Sequence, residues 1–442
     1  MANHFESFPS ESQPENPERS QHLLESFPWG DAGLAGYSEW AKGDPGRVEI
    51  MKDVIYTFLD QELRNTGIYE SGAEGAAFPW TVIRVKELAR ALVEKYGQLP
   101  PAAEEISSPP PQSSAEERIV KKEFVMTSFL ATFHGHPFTF CEEAMHQALR
   151  ALPDAIRATS EGREPDDIEI YTLGSPTNEL GMISPEFSER MNEDPFGALG
   201  RLYAGFVENT ALQNRNPDQR TELNFTGISM GSNMAAEAAK ALLDRGEVTQ
   251  SREKNRDATV PHLTMNMYTP AGLNESPLRH AKIPVGFVME GMYQLARNPG
   301  VRRIAFGEKD FLENIKRIYE PRGIRAHMES EQKSRKEGVL KSILTKISHG
   351  VPVAENLKAN ELIGLKDPTM FSFKRSRQAK AKRAEHGETL AGAMLDRNNP
   401  NRRKFGIQMS HTIPFFRPSE FKRWDRIAEL LKTMSRPSPE NS

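Results

Sequence analysis

The stretch Leu223-Asn224-Phe225-Thr226-Gly227-Ile228-Ser229-Met230-Gly231-Ser232, followed by Asn233-Met234-Ala235-Ala236-Glu237-Ala238-Ala239-Lys240-Ala241-Leu242-Leu243, decides how the chain is read. A short apolar run ends in G-x-S-x-G, and an alanine-rich run of high helix propensity begins directly after it. Together they predict strand, sharp turn and helix. Ser229 sits on the turn, where small neighbours let the two backbone arms pass closely. A bare G-x-S-x-G is a weak pattern, because glycine and serine are common in loops. The strand before it and the helix after it make Ser229 a candidate nucleophile.

Outward from the turn, strand-like and helix-like patterns alternate. Glu123–Phe133 is β-prone and leads through the turn His134-Gly135-His136-Pro137 to a helix over Phe140–Ala158. Asp167–Leu173 reads as a strand ending in Gly174-Ser175-Pro176, a helix follows near Pro195–Asn209, and Pro261–Tyr268 reads as the next strand. Weaker strand patterns lie at Glu361–Lys366 and Lys404–Met409, with a helix near Lys374–Leu395 between them. Such alternation predicts an α/β fold: a mostly parallel sheet flanked by helices on both faces.

Between Ser276 and Asn360 charged helical stretches replace the alternation, and 276–360 is read as an inserted helical cap. Its segment Ile283–Met289 is too apolar to face water without a reason. The core then comprises 118–275 and 361–434. Amphipathic spacing predicts helices near Val48–Arg64 and Trp80–Tyr96, hence an N-terminal helical segment over 21–98. Residues 99–117, with Pro109-Pro110-Pro111, read as a linker, and the segment before it either stands alone or packs on the core. Residues 1–20 and the tail 435–442 are expected to be disordered.

The composition bounds the partners. The chain has 442 residues, 37% hydrophobic and 27% charged, which is ordinary for a chain with a sizeable core. A net charge of −4 gives no electrostatic case for nucleic acid. The one dense basic run, Lys374, Arg375, Arg377, Lys380, Lys382 and Arg383, reads either as a solvated helix face or as a surface for an anionic partner. The single cysteine, Cys141, excludes a disulfide framework and a four-cysteine zinc site. The first residues lack a signal-type apolar core, and no run reaches transmembrane length, so a cytoplasmic location is expected.

A serine hydroxyl needs a base within hydrogen-bond reach and an acid that orients the base. Among the 11 histidines, His411 follows a strand pattern and opens a loop leading into a last helix over Phe421–Met434. That is where a base must lie if it is to meet a serine at the same sheet edge. A hydrogen-bonded loop histidine is the plainer alternative. His134 and His136 alone are too few ligands for a metal site, so no metal is expected. Ser175 lies outside the G-x-S-x-G frame and precedes a proline, which fits a tight turn better than a nucleophile.

Over residues 120–434 the chain resembles the α/β-hydrolase superfamily, in the elbow around Ser229 and the late strand-histidine-loop-helix at His411. The resemblance implies a serine hydrolase acting on an ester, thioester or amide, with the order Ser, acid, His and no cofactor. It implies Asp367 as the acid, after the strand before the histidine strand, with Asp310 and Asp396 as rivals. It also implies oxyanion donors from Met230 and from the Phe133-His134-Gly135 loop. A small acyl substrate is expected, with Ile283–Leu295 suited to an acyl-chain pocket or to plain core packing. An acyltransferase using the same triad, and a catalytically silent scaffold on this fold, are the alternatives. The oligomeric state is not readable from the sequence.

Overall fold

A computed structural model describes residues 66–96, 119–126, 142–177, 181–213, 215–216, 219–251, 260–268, 330–349, 357–364, 393–395 and 402–407. The strands are β1 (Thr66–Ser71), β2 (Ala76–Arg84), β3 (Ile119–Met126), β4 (Asp167–Leu173), β5 (Met182–Ile183), β6 (Arg220–Ile228), β7 (His262–Tyr268), β8 (Ala359–Gly364), β9 (Ala393–Leu395) and β10 (Arg402–Ile407). They form one sheet in the order β1-β2-β4-β3-β6-β7-β8-β10-β9, with β5 added beside β2. From β4 through β10 neighbouring strands run parallel, while β1, β2 and β9 are antiparallel to their neighbours. This strand order, with a central strand ending in a serine turn, is the α/β-hydrolase fold.

The helices are α1 (Val85–Tyr96), α2 (Glu142–Ser160), α3 (Pro185–Glu193), α4 (Pro195–Val207), α5 (Gly231–Asp244) and α6 (Ser330–His349). Sheet positions alternate between two buried layers, as a period of two requires. Phe78, Val82, Phe124, Tyr171, Leu173, Leu223 and Phe225 share one core with α3, α4, α5 and α6. Their neighbours Ile83, Val125 and Ile170 are also buried but belong outside that core, as do Leu88, Ala89 and Leu92 of α1 and Leu152 and Ile156 of α2. Phe206 of α4 is the hub of the first layer, with ring centroids 5.3 Å from Tyr69, 5.6 Å from Phe78 and Trp80, and 5.9 Å from Tyr171. The second face also carries a polar row. Asn266 donates to Asn224 at 2.8 Å and accepts from Asn360 at 2.9 Å, so the amides on β6, β7 and β8 satisfy one another.

Three expectations need correction. Trp80–Arg84 was expected to open a helix, but it completes β2, and the helix begins only at Val85. The segment Thr-Val-Ile is β-branched, and Trp80 through Arg84 pair with β4, so long-range pairing overrides the helical spacing. Residues 66–84, expected within a helical segment, are therefore the first two strands of the main sheet. Residues 330–349, expected in the cap, form α6 and lie in the helical layer. Val339, Ile343 and Ile347 are buried there, Gln332 exchanges bonds with the backbone of Ile183, and Ser342 donates to Asn192. Finally, Ala393–Leu395, expected at the end of a helix, is an antiparallel strand on β10, where it covers the open edge.

Candidate functional site

The chain leaves the central strand β6 at Ile228, turns at Ser229 and enters α5 at Gly231. Ser229 has a φ of 54° and is the one non-glycine residue with positive φ among the described residues. The left-handed region costs an ordinary side chain about 1–2 kcal/mol, so the surroundings must hold the turn. The Ser229 N–H donates to the Tyr268 carbonyl of β7 at 2.9 Å, and the Ser232 N–H donates back to the Ser229 carbonyl at 3.1 Å. The Ser232 hydroxyl donates to the Gly227 carbonyl at 2.9 Å and lies 3.4 Å from the Tyr268 carbonyl.

Gly227 is required by this geometry. A Cβ there would stand 2.3 Å from Ser232 Cα and 2.7 Å from the Gly231 carbonyl, both of them backbone atoms that cannot swing away. Ser229 is 8% exposed, so the residue is nearly enclosed. Met230 is the N-cap residue of α5. Its N–H thus belongs to the turn whose donors have no partner inside the helix and which carries the positive end of the helix dipole.

The strand order fixes what else reaches this edge. β4 follows β3 in sequence and lies on one side of it, while β6 lies on the other, so the direction of winding reverses between β3 and β6. Ligands of open α/β sheets bind in the crevice at such a reversal, outside the carboxyl ends of the strands. Met126, the last residue of β3, is level with Gly227. Tyr268 is level with Leu362 of β8, and Leu362 with Phe405 of β10. The chain leaving β8 at Gly364 and β10 at Ile407 therefore emerges at the same edge as Ser229. β9 runs the other way, and its last residue, Leu395, lies opposite Arg403 near the start of β10.

Of the residues singled out from the sequence, Ser229 and Met230 stand together at the turn. Phe133, His134, Gly135, His136, Asp310, Asp367, Asp396 and His411 lie outside the described residues, as do the basic run, Ile283–Leu295, 1–20, Val48–Arg64, 99–117 and 435–442. Ser175 makes the tight turn expected of it, its hydroxyl accepting from the Thr177 N–H at 3.2 Å. Sequence reasoning missed Ser232 and Tyr268. Ser232 is a polar residue three positions after Ser229, in the first turn of the helix, a signal present in the sequence. The role of Tyr268 is played by its backbone carbonyl, which no side-chain pattern advertises.

Farther down the strands the charges are paired. Glu169 of β4 lies in register between Arg84 of β2 and Lys122 of β3. Burial alone would raise its carboxyl, but Lys122 at 2.8 Å, the Tyr171 hydroxyl at 2.9 Å and Arg84 at 3.3 Å hold it below the usual carboxylate range. Burial, with the Glu169 charge beside it, pushes the Tyr171 phenol upward. The cluster thus ties one carboxylate to two cations and a phenol on three neighbouring strands. Among the described residues no group of His, Cys, Asp and Glu is arranged to hold a metal ion, and no helix is long and apolar enough to cross a membrane.

No family model matches the sequence, and no curated protein matches it. Solved structures similar in backbone include an α/β hydrolase enzyme from a Medee basin deep-sea metagenome library, at 8% identity over 85% of this chain and 99% of that one, with a TM-score of 0.37. An epoxide hydrolase from Bacillus megaterium aligns at 10% identity over 81% of this chain and 96% of that one, with a TM-score of 0.34. A type II thioesterase from the yersiniabactin biosynthetic pathway aligns at 13% identity over 73% of this chain and 97% of that one, with a TM-score of 0.32. At such similarity the fold rests on the strand order and the turn described above.

Proposed function

We propose that the chain is a serine hydrolase that cleaves an ester, thioester or amide through an acyl-enzyme. The observation that carries the reading is the left-handed Ser229 at the carboxyl end of the central strand, at the head of α5. A backbone held in that region by crowding and buried hydrogen bonds is a device for presenting one side chain, and the side chain presented is a hydroxyl.

In this reading Ser229 attacks the acyl carbonyl while His411 takes the hydroxyl proton and later returns it to the leaving group. Asp367 holds the imidazole tautomer and stabilises the imidazolium. The Met230 N–H and one from the Phe133-His134-Gly135 loop accept the charge that builds on the carbonyl oxygen. The strand order supports these assignments. The chain runs from β8 toward Asp367 and from β10 toward His411 at the edge where Ser229 stands, and from β3 toward Gly135 beside the winding reversal. The direction of β9 favours Asp367 over Asp396, since Leu395 ends at the far edge. Residues 276–329 and 350–356 remain the proposed cap, since Leu357 joins the core and Ala359 opens β8.

The test is labelling with a fluorophosphonate probe. The wild type is expected to react and Ser229→Ala to be silent while melting at nearly the same temperature, because loss of a triad nucleophile costs several orders of magnitude in rate. Undiminished labelling of Ser229→Ala would overturn the assignment.

A further inference from the structure

We infer that Ser232 is a positioning residue for the Ser229 nucleophile, its buried hydroxyl closing the turn by bonding across it to the carbonyl end of β6. The inference rests on the serine-hydrolase reading and deepens it. Ser232 is fully buried, and its hydroxyl donates to the Gly227 carbonyl at 2.9 Å, with the Tyr268 carbonyl 3.4 Å away. The Tyr268 carbonyl also receives the Ser229 N–H at 2.9 Å. Thus the nucleophile and the first turn of α5 are tied to one pair of carbonyls at the ends of β6 and β7.

Helix propensity does not explain a serine here. The rest of this turn runs Gly231, Asn233, Met234, Ala235 and Ala236, and alanine would suit a buried helical position better than a hydroxyl that must find a partner. The hydroxyl has one proton, and it is spent on the strand carbonyl that Gly227 offers from the far side of the turn. That bond resists the opening of the turn, and opening is the motion by which Ser229 would leave its left-handed backbone and swing its Oγ off the line to an acyl carbon. Reacting atoms misplaced by a fraction of an ångström lose rate without losing affinity.

The experiment measures kinact and KI of a fluorophosphonate probe for the wild type, Ser229→Ala, Ser232→Ala and Ser232→Cys, together with the thermal midpoint of each. For Ser232→Ala we expect kinact to fall about tenfold, the worth of one hydrogen bond, with KI unchanged within about twofold. Ser232→Cys keeps the branching and a weak donor at the cost of a slightly larger atom, so its kinact should fall between the two. A purely structural residue would lower the melting temperature and leave kinact per folded molecule alone. Wild-type kinact in folded Ser232→Ala overturns the proposal, and if that variant does not fold, wild-type kinact in folded Ser232→Cys does so. In either case a reactive wild type and a silent Ser229→Ala leave the hydrolase reading standing. An unreactive wild type, or a Ser229→Ala that labels as fast, overturns both.

Discussion

At the carboxyl end of β6, Ser229 is held at a φ of 54° against the crowded backbone of Gly227, Gly231 and Ser232. Halfway down the neighbouring strands, Glu169 lies in register between Arg84 and Lys122 and also accepts from Tyr171. Both places are polar, the turn buried and the ion row half-buried, and both use hydrogen bonds of ordinary length. They differ in what is left over. In the ion row one carboxylate is shared by two cations and a phenol, so its polar groups hold neighbouring strands together and the titration of Glu169 is a property of folding. At the turn the backbone bonds and the Ser232 hydroxyl are spent on geometry, and the Ser229 side chain is what they present. Substitutions in the ion row should move stability and its pH dependence, and substitutions at the turn should move reactivity.

The largest expected effect belongs to neither place. Phe206→Ala removes the ring on which Tyr69, Phe78, Trp80 and Tyr171 converge and should cost about 3–5 kcal/mol in urea unfolding. Labelling per folded molecule should hardly change, and a variant that lost labelling while remaining folded would blur the division drawn above. Gly227→Ala should cost about 3 kcal/mol and also silence Ser229, because the new methyl meets backbone 2.3 Å away and the turn must open. Retained reactivity would break the crowding account.

Glu169→Gln is expected to cost about 1–2 kcal/mol at neutral pH without touching reactivity. The Glu169 carboxyl is held below the usual carboxylate range in the folded protein, so on acidification the unfolded chain takes up the proton first. The stabilisation is therefore complete above about pH 4.5 and is lost as the pH falls through the lower folded value. The gap between wild type and variant should shrink on acidification below that point. A gap that stays constant to pH 3 would remove the ion row from the comparison.

The smallest effect is on Ser229 itself. Ser229→Gly relieves the left-handed strain but adds freedom to the unfolded chain, so a net gain of about 0.5–1 kcal/mol is expected. Thermal melting checks it, and a clear loss of stability would mean that the turn is unstrained or that the side chain has a supporting role.

The strand, turn and helix around Ser229 were readable because each is a local matter: the period of apolar residues, the need for glycine where backbones touch, and the propensity of an alanine run. The same holds for Asp167–Leu173, Pro195–Asn209 and Pro261–Tyr268, whose expected and observed bounds differ by little. Tertiary structure decided the rest. Thr81-Val82-Ile83 can stand on a helix or a strand, and only β4, far along the chain, makes it a strand. The charged residues of α6 looked like a solvent-facing cap, yet Val339, Ile343 and Ile347 find a core prepared by α3 and α4, and even Lys336 is buried with its ammonium on the Gly181 carbonyl. Ala393–Leu395 becomes a strand because β10 offers an open edge. Ser232 shows both causes in one residue, since its place in the first turn is written locally while its partners are carbonyls brought together by the pairing of β6 with β7. Local sequence sets what a segment can be, and unpaired backbone groups and apolar faces in distant segments determine which of those states is filled.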